Sequence, residues 1–100
     1  MQATLTGENH NPKINTKWSY TVTATDANGK PLSGKIETRF TYNGTVVGKE
    51  SPYVHDFTDG KITNQVTYPA QSLNEPIAIQ VTVITSIGQK TLSWSVKPVK

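Results

Sequence analysis

Hydrophobic and polar residues alternate with a period of two in several separate stretches of the chain. Trp18, Tyr20, Val22 and Ala24 interleave with Ser19, Thr21, Thr23 and Thr25. Ile36, Thr38, Phe40 and Tyr42 share one face, with Glu37, Arg39 and Thr41 on the other. Ile62, Asn64, Val66 and Tyr68 repeat the pattern until Pro69 stops it. Ile77, Ile79, Val81 and Val83 alternate with Ala78, Gln80 and Thr82, and Leu92, Trp94 and Val96 alternate with Ser93 and Ser95. Successive side chains of a strand point to opposite faces, so each stretch predicts a strand with one buried face. Ala3–Gly7 and Thr45–Gly48 read as two shorter strands. Residues 50–60, with Pro52 and Asp59-Gly60, have no clear period and read as a long irregular loop. No segment carries the stripe of an amphipathic helix.

The breaks between these stretches are turn chemistry. Asn43-Gly44 is a strong two-residue hairpin signal, because both residues tolerate positive φ. Asp26–Gly34 reads as a bend between strands: Asn28 and Gly29 accept unusual backbone angles, Pro31 fixes φ, and the Asp26 carboxylate can accept from the backbone two residues on. Residues 8–16, with Pro12, form a polar connector, and Ser86–Gln89 is a further turn. About seven strands with regular turn signals predict an all-β sandwich. The 100 residues fit a single domain, 1–100, with its core between about 14 and 97.

Composition agrees with this pattern. The chain has 15 threonines and 7 serines and is 34% hydrophobic, which suits half-solvated sheets. Its net charge is +3, from scattered lysines and the lone Arg39. A nucleic-acid surface clusters basic residues on one face, so no nucleic-acid partner is expected. The absence of cysteine excludes disulfides, thiolate metal sites and cysteine nucleophiles. No apolar run approaches the ~20 residues that span a bilayer, so no membrane insertion by these residues is expected. No signal peptide is read at Met1, which reads instead as the start of a fragment.

The phrase VTATDANGKPLSGKIETRFTYNG, Val22–Gly44, resembles one common in bacterial immunoglobulin-like domains. Invasin- and intimin-type adhesin repeats carry it, and the chain from Asn11 onward also resembles immunoglobulin-like domains of actinobacterial secreted proteins and lipoproteins. The resemblance implies an immunoglobulin-like β-sandwich of about seven antiparallel strands. It implies an extracellular or cell-envelope location and a non-enzymatic role, as a structural spacer or a protein or glycan interaction domain. Unlike antibody domains, the chain lacks paired cysteines. Trp18 and Trp94 are read as core packers whose ring N–H groups need partners. An engineered binding scaffold derived from such a domain would read the same way.

Candidate chemistry is sparse, and no catalytic residue, metal site or cofactor is expected. Asp26-Ala27-Asn28-Gly29 supplies two side-chain oxygen donors where calcium needs roughly six to eight ligands. Ser51, His55 and Asp56 suggest a hydrolase, but neighbours on a strand face opposite ways and no Gly-x-Ser-x-Gly elbow is present. His10 and His55, with Met1 or Asp56, are the candidates for a copper or zinc site, without ligand spacing. Some adhesin domains form a lysine–asparagine isopeptide bond, for which Lys17 or Lys35 with Asn64 and Glu37 are the candidates. Asn64 stands out as a polar residue on an otherwise apolar face, where it needs a partner. Asn43-Gly44-Thr45 matches the glycosylation sequon. The contact candidate is the 50–60 loop, with Tyr53, His55, Asp56 and Phe57 as its interaction residues.

Overall fold

The computed structural model describes residues 1–100. Seven strands form two antiparallel sheets: β1 (Gln2–Gly7), β2 (Lys17–Thr25), β3 (Gly34–Tyr42), β4 (Thr45–Phe57), β5 (Lys61–Thr67), β6 (Ile77–Thr85) and β7 (Gly88–Val96). A short 3₁₀ turn at Ala70–Ser72 joins β5 to β6. One sheet has the order β1-β2-β5 and the other β4-β3-β6-β7. This is the expected all-β sandwich of seven antiparallel strands. It departs from the antibody constant-domain arrangement in one respect: β4 pairs with β3 instead of joining the β1-β2-β5 sheet.

The core is built from the faces that alternation identified, except at the end of β3, where a register shift after Phe40 leaves Thr41 buried at 5% exposed and Tyr42 37% exposed. Trp18, Tyr20, Val22 and Ala24 of β2 pack against Ile36, Ile79, Val81 and Val83 of the facing sheet. The solvent faces carry threonines in register. Thr4 and Thr23, Thr21 and Thr63, and Thr82 and Thr91 stand directly opposite one another and join their hydroxyls across the strands. Such cross-strand pairs add to sheet stability and account for much of the threonine content.

The turns follow their sequence signals. Asn43 and Gly44 have φ of 52° and 81°, the all-positive pair of a type I′ hairpin, and bring Tyr42 opposite Thr45. The Asp26 Oδ1 accepts from Asn28 N at 2.8 Å and Lys30 N at 3.0 Å, so the Asp26–Gly29 segment is a bend held by its own carboxylate. Gly60 closes under this bend at φ 71°, where a Cβ would lie 2.8 Å from the Ala24 carbonyl oxygen and 2.9 Å from Pro31 Cβ.

Both indoles find their acceptors in the connector after β1. Trp18 Nε1 donates to Asn9 Oδ1 at 3.1 Å, and Trp94 Nε1 donates to the Asn9 carbonyl at 3.0 Å. Gly7 is required beside them, because a Cβ there would collide with both rings. The tail after β7 lies along this connector. Lys13 and Val99 form a parallel bridge, with Ile14 N donating to Val99 O and Val99 N to Pro12 O, each at 2.8 Å.

A longer segment also differs from the sequence reading. Residues 50–57 are not a loop but the second half of β4, and only 58–60 turn the chain. Arg39 faces Lys49 and Glu37 faces Val54, so a bulge at 50–53 interrupts the β3–β4 ladder. The bulge reverses which residues face inward, from Gly48 and Glu50 before it to Tyr53, His55 and Phe57 after it. That reversal removes the alternation from the sequence. Pro52 is tolerated because β4 is an edge strand.

Candidate functional site

On one flank of the sandwich the edge strands β4 and β5 face each other across the gap between the sheets. Four strands send polar side chains into this gap. Tyr20 and Asn64 are directly opposed on β2 and β5, Thr38 comes from β3, and Glu50 and His55 come from β4. Five positions apart on an unbroken strand, Glu50 and His55 would face opposite ways; the bulge turns both inward.

The Glu50 carboxylate is the centre of the group. Asn64 Nδ2 donates to Oε1 at 2.6 Å, and the Tyr20 hydroxyl donates to Oε2 at 2.7 Å. With its proton committed to Glu50, the Tyr20 oxygen accepts from Thr38 Oγ1 at 2.8 Å. Asn64 Oδ1 accepts from the Gln65 N–H at 2.9 Å, so the amide is used at both ends. His55 Nε2 lies 3.4 Å from Glu50 Oε1, outside hydrogen-bond geometry and without another partner. Burial pushes the Tyr20 phenol well above its ordinary range; the Thr38 bond opposes the shift and the Glu50 carboxylate adds to it. The Tyr68 phenol is pushed up by burial and then by Tyr20, and its hydroxyl has no partner.

Above this network runs a groove with two hollows. The polar hollow, ≈ 520 Å³, is lined by Lys17, Lys49, Glu50, Asn64 and Gln65 among others. The second, ≈ 420 Å³, lies toward the β3–β4 hairpin and is lined by Phe40, Tyr42, Tyr68, Glu75 and Ile77 among others. Phe40 and Thr67 line both.

The residues expected to form an interaction loop divide by their strand positions. Phe57 is a core residue, 5% exposed. Asp56 points to solvent, and His55 points inward to Glu50. Tyr53 is half-buried; its hydroxyl accepts from Arg39 Nη1 at 3.4 Å and its ring lies under Lys49 Nζ at 5.1 Å. No hydrogen bond joins Ser51, His55 and Asp56. The two histidines have separate settings. His10 stacks on Trp94 with ring centroids 4.2 Å apart and contacts the Ser95 carbonyl through Nδ1 at 2.6 Å. The Met1 sulfur contacts Thr85, and no three His, Asp or Glu side chains gather as metal ligands. Lys17 and Lys35 are exposed, and Asn64 is bonded to Glu50 and Tyr20, so the lysine–asparagine pairing has no buried lysine.

Asn64 was the one sequence signal for this network. Glu50 carried none, since its partners lie on β2 and β5, at 30 and 14 residues' separation. No protein-family model matches the chain, and no curated protein matches it in sequence.

Proposed function

We infer that the chain is a non-enzymatic immunoglobulin-like module of an extracellular or cell-envelope protein, serving as a spacer and as a surface for a protein or glycan partner. The observation that carries this reading is the path of the chain. β1 starts beside the β6–β7 turn, where Met1 meets Thr85, while β7 ends opposite Ile77 at the far end of the sandwich. A domain 41 Å long and about 22 Å across, running from end to end, suits joining in a row. The resemblance of Val22–Gly44 to adhesin repeats points the same way. The non-enzymatic part is supported by the Glu50 network, whose Tyr20, Thr38 and Asn64 members are bonded to one another. The β4–β5 groove is the contact face, replacing the loop expected from sequence.

Two copies joined directly, the end of one to the start of the next, test the spacer reading by small-angle scattering. The expected particle is elongated, with a maximum dimension roughly twice the 41 Å of one copy. A compact, side-by-side pair would contradict it.

A further inference from the structure

The second hollow of the groove has a chemistry of its own. Phe40 and Tyr68 form two of its walls, edge to face, with centroids 5.5 Å apart and planes at 76°. Tyr42 adds a third ring at the mouth, 37% exposed. The sole ionisable acid or base among its lining residues, apart from the phenols, is Glu75. The lysines of the groove, Lys17 and Lys49, line only the neighbouring hollow. The exposed Tyr42 ring, the half-buried Phe40 ring and a carboxylate therefore border one space, with the buried Tyr68 ring, 2% exposed, as its floor. The volume falls within the range of small-molecule pockets.

We propose that this hollow binds a methylated ammonium group carried by a soluble small molecule. The Tyr42 and Phe40 rings would attract a cation through their quadrupoles, and the Glu75 carboxylate adds to the attraction. The walls decide between kinds of cation. A primary ammonium is strongly hydrated and brings three N–H donors that need acceptors. Ring faces are poor replacements for that water. A trimethylammonium has no N–H to satisfy and presents methyl groups to the rings. An uncharged apolar ligand of the same shape would gain the burial but nothing from Glu75. The proposal stands apart from the spacer reading, since either can fail without the other.

The test is a titration of the ¹⁵N-labelled protein with choline, followed by backbone amide shifts. Two controls run beside it: 3,3-dimethylbutan-1-ol, the uncharged isostere, and ethanolamine, the primary ammonium. Choline is expected to move the amides of Tyr42, Gly48 and Ser72 in a saturable way, with both controls about tenfold weaker, the scale of one cation–aromatic contact. Tyr42→Ala and Glu75→Gln change exposed side chains and should leave the amide spectrum folded while weakening choline severalfold. Equal binding of choline and the alcohol would overturn the proposal, as would equal binding of choline and ethanolamine. So would an absence of saturable shifts at tens of millimolar, or undiminished binding by folded Tyr42→Ala.

Discussion

Replacing Glu50 with alanine tests the energetic reading of the buried polar group. The side chain is 10% exposed and accepts from Tyr20 and Asn64 at 2.7 and 2.6 Å. Each bond to a charged acceptor is worth about 1.5–3 kcal/mol, so losing both, with two neutral donors left stranded, costs about 3–6 kcal/mol. Water from the adjoining hollow can reach part of the vacated space, which places the expected loss at the low end, about 3 kcal/mol. For a domain of this size that corresponds to a fall in Tm of roughly 12–24 °C. Urea unfolding followed by the fluorescence of Trp18 and Trp94 measures the loss, with the m-value checking that the unfolded state is unchanged. Asn64→Ala and the double variant complete a cycle, with an expected coupling of about 1–2 kcal/mol. Exchanging Glu50 and Asn64 together for leucine and valine should restore much of the loss, because an apolar filling leaves fewer donors stranded. A loss under about 1 kcal/mol for Glu50→Ala, or strict additivity with Asn64→Ala, would refute the reasoning.

Other outcomes follow from the same packing. Tyr68→Phe removes a buried hydroxyl without a partner and should raise stability by about 1 kcal/mol in urea unfolding. Tyr20 and Tyr68 hold their protons more tightly folded than unfolded, so their contribution is complete below the ordinary tyrosine pKa of about 10 and is lost as pH rises above it. Stability should therefore fall as pH rises above about 10, with a shallower fall in Tyr68→Phe. Gly60→Ala forces a Cβ against the Ala24 carbonyl and Pro31 at positive φ and should cost more than about 2 kcal/mol, read as a lower Tm. Asp26→Ala removes the acceptor of two backbone N–H groups and should cost about 1 kcal/mol, while calcium leaves the Tm of the parent domain unchanged.

What the sequence made legible was local. The alternation from Trp18 to Ala24 needed no knowledge of other strands to identify a buried face, and Asn43-Gly44 carried its turn type in two residues. The second half of β4 was illegible for a local reason: a bulge changes the inward parity midway, so Glu50 and His55 belong to one face only once the pairing with β3 is known. Asn64 announced that a polar partner must exist, but not which. Its partner Glu50 lies across the gap between two sheets, and sequence spacing carries no record of that distance. The groove was hidden in the same way, because its rings come from β3 and from the connection after β5.

The parallel bridge between Lys13 and Val99 has a mechanical consequence. If tension is applied through the two ends of the chain, the connector and the tail are drawn in opposite directions along their length. Ile14 N–H, Val99 N–H and Lys97 N–H all cross that seam, and Asn11 Nδ2 adds a side-chain bond to the Lys97 carbonyl. Strands pulled this way load their crossing bonds together in shear, whereas a hairpin pulled at its open end yields one bond at a time. The seam is therefore a force-bearing clamp, and resistance to stretching should depend on these few residues far more than resistance to heat does.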